Sequence, residues 1–100
     1  MKNRKTKNRT IPNCLRKYRK VRGLNQTQAA KILGLQSTSM ISRWEKGQNL
    51  PSFKNALRLG ALYRIMVEGL YIDLAHEMKE DVLKREEKIT QPRWLLAVSI

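Results

Sequence analysis

The apolar positions of this chain fall into short runs at helical spacing. Ile11, Leu15, Tyr18 and, one turn on, Val21 or Arg22 recur at i, i+4, i+7. They predict a first helix capped by Thr10, with Pro12 in its opening turn, where proline is tolerated. Gly23 ends it. Asn25-Gln26-Thr27-Gln28 has the form of a capping box, which predicts a second helix from Gln26 to Leu33 with Ala29, Ala30 and Leu33 inward. After Gly34 and a short turn, Ile41 and Trp44 lie three apart and share one apolar face of a helix over 37–46. Ser37 is its expected N-cap and Gly47 its left-handed C-terminal residue.

Gln48 to Pro51 reads as a loop. Ser52 then caps a fourth helix whose apolar positions are Phe53, Leu57 and Gly60 or Ala61 at helical spacing, together with Ala56, Leu59 and Leu62, with a break near Tyr63-Arg64. From Val67 the pattern resumes as a narrow stripe through Leu70 or Tyr71, Leu74, Met78 and Val82, and more weakly Arg85 and Ile89. Glu80 and Lys84 are an expected i, i+4 pair. Gln91-Pro92 closes that helix, and an apolar terminus, Arg93 to Ile100, follows. Packing on the stripe, exchange into a partner, an added edge strand and free motion all suit this terminus. The expected organisation is thus a basic arm (1–10), a helical domain (11–71) and a helical extension with an apolar tail (72–100).

Length and charge change this picture. One hundred residues suffice for one modest core. The net charge is +13, and it is unevenly placed. Residues 1–67 hold sixteen Lys and Arg against one acidic residue, Glu45, leaving +15. Residues 68–100 hold five basic against seven acidic, leaving −2. A one-sided excess of this size points to a polyanion partner. Arm residues Lys2, Arg4, Lys5, Lys7 and Arg9 have no apolar neighbours to bury and suit contacts to a DNA backbone. Cys14 is the single cysteine and His76 the single histidine, so neither an intrachain disulfide nor a metal site is expected. No nucleotide-binding glycine pattern is present, and neither an enzyme nor a cofactor is expected. The opening residues lack the apolar core of a signal peptide, and no run spans a bilayer, so a cytoplasmic protein without a membrane partner is expected.

Helix, glycine-containing turn, helix, with an Ala in the first and an aliphatic residue plus Trp in the second, is the form of a helix-turn-helix. The ordered set Leu15-Arg16-Lys17-Tyr18-Arg19, Gly23-Leu24-Asn25-Gln26, Leu33-Gly34-Leu35, Ile41 to Gly47 and Leu50-Pro51-Ser52-Phe53 resembles the phage-repressor or Cro-like helix-turn-helix regulators, the XRE family. The resemblance covers residues 15–71. It implies an all-α fold, a compact five-helix domain of the lambda-repressor type, here with a helical extension. It further implies that Gln26 contacts a DNA phosphate and braces the third helix. It implies that Ser37, Thr38, Ser39 and Arg43 stand at or beside positions reaching base edges, that Lys46 contacts phosphate, and that Arg19 and Glu45 form a buried ion pair.

The chemistry of the residues agrees. A guanidinium pairs bidentately with guanine O6 and N7, which makes Arg43 the best reader, whereas the Thr and Ser hydroxyls are less selective. Glu45 stands alone in a strongly basic segment, and pairing with Arg19 explains its presence. The chain departs from the family pattern by one added residue between Gly34 and Ile41, which leaves the base-facing register at Thr38 and Ser39 open by one position.

Two functions follow. The first is a sequence-specific transcriptional regulator, binding double-stranded DNA as a homodimer on a near-palindromic site, with Val67, Tyr71, Leu74, Met78 and Val82 as the dimer seam. The second is an antitoxin-type protein whose C-terminal region binds a protein partner and whose DNA binding is autoregulatory.

Overall fold

The computed structural model describes residues 10–90. The arm residues Lys2, Arg4, Lys5, Lys7 and Arg9 and the apolar terminus therefore lie outside the described residues. Six helices follow in order: α1 Leu15–Val21, α2 Gln26–Ile32, α3 Ser39–Glu45, α4 Phe53–Tyr63, α5 Val67–Leu70 and α6 Ile72–Ile89. Among the described residues the fold is all-α and compact.

The first helix starts later than its periodicity predicts. Residues 11–14 are not helical, and Asn13 explains why. Its carboxamide oxygen accepts the Leu15 backbone N–H at 3.0 Å. Its Nδ2 donates to the carbonyls of Ile11 at 3.0 Å and Trp44 at 3.1 Å. A short side chain that bonds the local backbone competes with helix and sets its start. The entry segment is tied down further by Ile11 N–H donating to the Gly47 carbonyl and Cys14 N–H to the Leu70 carbonyl, both at 2.9 Å. Val21 is not an inward position. It is 72% exposed, while Arg22 Nε donates to the Leu62 carbonyl at 3.1 Å.

The second helix carries the capping box in full. Asn25 Oδ1 accepts the Gln28 N–H at 2.7 Å, and Gln28 Oε1 accepts the Asn25 N–H at 2.9 Å. Helices α1, α2 and α3 all close on a left-handed glycine: Gly23, Gly34 and Gly47. At Gly47 the requirement is double. Its φ is +74°, and a Cβ there would run into the Ile11 backbone.

The core is built from Leu15, Ala29, Ala30, Ile41, Trp44 and Leu59, joined by Leu62, Tyr63, Leu70 and Tyr71. Alanines on α2 let the aromatic anchor of α3 come close; Trp44 is only 1% exposed. On α4 the inward residues are Ala56, Leu59, Gly60, Leu62 and Tyr63. Phe53 and Leu57, though at helical spacing, are 76% and 50% exposed, because α4 turns the Leu59–Leu62–Tyr63 side to the core. The helix ends at Arg64 in a left-handed conformation (φ 60°).

The stripe from Val67 is not one helix. Tyr71 (φ −132°, ψ 55°) interrupts it and turns inward with Leu70, both buried. Gly69 sits where a Cβ would meet the Ile65 side chain, so α5 lies tight on that residue. Of the five seam residues, Tyr71 is therefore consumed by the domain's own core, and Leu74 packs against the same core. Met78 and Val82 remain exposed. Glu80, expected beside Lys84, instead lies 3.2 Å from His76. Among the described residues no helix is long and apolar enough to cross a membrane.

Candidate nucleic-acid interface

The reading helix is shorter than its sequence pattern predicts. Its first helical residue is Ser39, and Thr38 rather than the expected Ser37 occupies the N-cap position, without a side-chain capping bond. Residues 36–38 form a bend that leads into it. There the Ser37 hydroxyl accepts the Ser39 N–H at 3.2 Å and holds the approach to the helix. Ser37 and Thr38 are thus turn residues, and the first helical hydroxyl is that of Ser39.

At 3.6 residues per turn, Ser39, Ser42, Arg43 and Lys46 fall within an arc of roughly 100°, and Ile41 and Trp44 lie opposite. The burial matches this division. Ile41 and Trp44 are buried, Ser39, Arg43 and Lys46 are exposed, and Ser42 is half-buried. Ser42 was not among the expected contact residues. The signal for it was its place one residue before Arg43, on the same arc.

The helix is held at its C-terminal end by a polar cluster. Arg19 Nε donates to Glu45 Oε2 at 2.6 Å, and Arg19 Nη2 donates to Glu45 Oε1 at 3.1 Å. The third donor of Arg19 used here, Nη1, reaches the Leu24 carbonyl at 2.9 Å. Gln26 Nε2 donates to Glu45 Oε1 at 3.1 Å. The two charged side chains retain only 9% and 6% of their surface. A forked guanidinium facing a carboxylate is the strongest form of ion pair available to side chains. The hydrogen bond to Glu45 raises the Arg19 pKa further above its ordinary value. The cluster joins the end of α1, the start of α2 and the end of α3, so it fixes the angle at which α3 is presented. Gln26 spends its amide on Glu45 and is itself half-exposed at the head of α2.

Asn13 was missed by periodicity. Its Nδ2 meets the Trp44 carbonyl at the end of α3, adding a second tie from the entry segment. Gln48 N–H, donating to the Arg43 carbonyl at 2.9 Å, completes the glycine-closed end.

A short helix with a buried Ile–Trp face and a polar outer arc, following a glycine-closed turn from a capped helix, defines a helix-turn-helix DNA-binding domain. The family model described as helix-turn-helix matches residues 15–65, and the chain belongs to this family, as an XRE-type DNA-binding transcriptional regulator. No curated protein and no solved structure matches it.

Proposed function

We propose that the protein reads a specific, near-palindromic DNA site as a homodimer, with α3 of each copy in the major groove. The observation that carries this reading is the outer arc Ser39, Ser42, Arg43 and Lys46 on a helix whose other face is buried. Arg43 reads a guanine through its two terminal nitrogens, and Ser39 and Ser42 touch neighbouring base edges or sugar-phosphate. Lys46 and the Gln26 end of α2 contact phosphate. The turn residues Ser37 and Thr38 approach the backbone beside the groove. The arm adds charge along the duplex, and the +15 of residues 1–67 supplies much of the affinity through counterion release.

A selection of bound oligonucleotides, followed by affinity measured across a salt series, tests this. An enriched site with dyad symmetry and a steeply negative log–log salt slope is expected. A flat slope would contradict it.

A second reading is an antitoxin-type protein whose extension binds a different protein. Its supporting observation is the exposed apolar stripe of α6. Capture of a co-transcribed protein that depends on residues 72–100 is its test.

A further inference from the structure

The last helix carries a seam that the domain leaves uncovered. Helix α6 is 18 residues long, and every residue from His76 to Thr90 is exposed. A helix segment of that length is marginal on its own in water. Its own side-chain contacts, His76 to Glu80 at 3.2 Å and the Asp81–Arg85 ion pair at 3.6 Å, are solvated and contribute little. Yet it presents Met78, Val82 and Ile89 at 46%, 62% and 80% exposure. With Ala75 and Arg85 these residues stand at a 3-4-3-4 spacing, which is the repeat of a paired-helix seam. The competing seam through Ile72 is broken by two charges, Lys79 and Glu86.

We propose that α6 pairs with α6 of a second copy, antiparallel, in one register. Met78 faces Ile89 across the dyad, and Val82 faces Arg85, whose aliphatic stem covers it while the guanidinium reaches water. The residues flanking the seam decide the direction. In this register Asp81 meets Lys88 and Lys79 meets Glu86, each twice by symmetry. Parallel pairing would set Asp81 beside Glu86 twice. Sliding the antiparallel pair by one heptad either way sets like on like, Asp81 and Lys79 each on its own counterpart, or Lys88 and Glu86. Flanking charges of this kind choose partner and orientation.

One geometric consequence agrees with this arrangement. The dyad falls between Leu83 and Lys84, so the two Ile72 positions stand roughly 35 Å apart at 1.5 Å per residue, the scale of one DNA turn between half-sites. The inference rests on the two-copy reading above and adds which surface makes the dimer and in which direction.

The test is sedimentation equilibrium of the full chain without DNA, run beside binding to the selected duplex and to a duplex carrying one half-site. The wild type dimerises. Asp81→Lys and Lys88→Asp each weaken self-association roughly tenfold or more, by converting two attractive contacts to repulsive ones. An equimolar mixture of the two variants recovers the dimer, since each chain then meets opposite charge on the other. That recovery separates the seam from local damage, because mixing cannot repair a weakened helix. A monomeric wild type, single reversals that leave the dimer unchanged, or a mixture that stays monomeric would each overturn the proposal. Each single-reversal variant retains half-site binding. A wild type that dimerises as described but binds neither duplex would overturn the DNA reading and leave the seam standing.

Discussion

The pairing of Arg19 with Glu45 makes the stability of the domain sensitive to one atom. In Glu45→Gln the carboxylate becomes a neutral amide of the same shape. Arg19 keeps its bond to the Leu24 carbonyl and one amide oxygen, yet its guanidinium stays in a site where only 9% of the side chain meets water. Removing one partner of a buried ion pair costs roughly 3–5 kcal/mol, chiefly because the other charge is left unpaired. The retained hydrogen bonds place the expected loss at the lower end, about 3 kcal/mol. For a domain of this size each 1 kcal/mol shifts Tm by roughly 4–8 °C, so a fall of roughly 12–24 °C is expected by circular dichroism. The base preference of the variant, measured well below its Tm, stays as in the wild type, because no base-facing group has changed. The double variant Arg19→Met/Glu45→Leu is expected to melt above Glu45→Gln, since an apolar replacement leaves no buried charge. An unchanged Tm in the single variant would refute the reasoning. So would a double variant that loses the sum of the two single losses.

Three further outcomes are expected. Arg43→Ala relaxes selectivity at one base pair in each half-site by ~1–3 kcal/mol with Tm unchanged, whereas Lys46→Ala weakens all sequences alike and lowers the salt slope by about 1, both read from competition binding. Gly47→Ala destabilises the fold more than Gly34→Ala in denaturant titration: both backbones are left-handed, but only the Cβ at 47 collides, with Ile11. Burial pushes the hydroxyls of Tyr63 and Tyr71 up to about 12 from 10, with the Glu45 charge adding to the effect at Tyr63. Below pH 10 both tyrosines are neutral in the folded and unfolded chains, and their contribution is complete. As pH rises from 10 to 12 the unfolded chain releases its protons first, and stability falls by up to roughly 2–3 kcal/mol per tyrosine. Tyr71→Phe flattens that alkaline loss in thermal melts, and an unaltered loss would contradict the assignment.

Much of the fold was legible in the chain because local chemistry and tertiary packing agree there. The Asn25–Gln28 box, the left-handed glycines and the Ile41–Trp44 pair each have one low-energy use, and the structure makes that use of them. The misses occur where a longer-range contact outweighs a local pattern. Ile11 fits a helical repeat, but Asn13 bonds Leu15 and Trp44 and delays the helix. Val67 to Val82 fits one continuous stripe, but Tyr71 is worth more buried against the domain than aligned on the helix, so the chain breaks there. Phe53 and Leu57 satisfy helical spacing on a face that α4 turns outward. For the candidate site, spacing placed Arg43 and Lys46 on the outer arc. It set the start of the helix one residue early, with Ser37 rather than Thr38 at the N-cap. Asn13 as a tie to α3 carries no periodic signal, because its partner lies 31 residues away.

The central claim is that α3 reads bases through Arg43, in two copies related by a dyad. Selection of oligonucleotides from a random pool, by the full chain and in parallel by Arg43→Ala, tests it most directly. The account predicts one motif recurring in inverted orientation, with half-site centres about one helical turn apart. In the Arg43→Ala pool the same motif would reappear with one position per half-site relaxed. A wild-type pool without enrichment, or an Arg43→Ala pool identical to the wild-type pool, would contradict it.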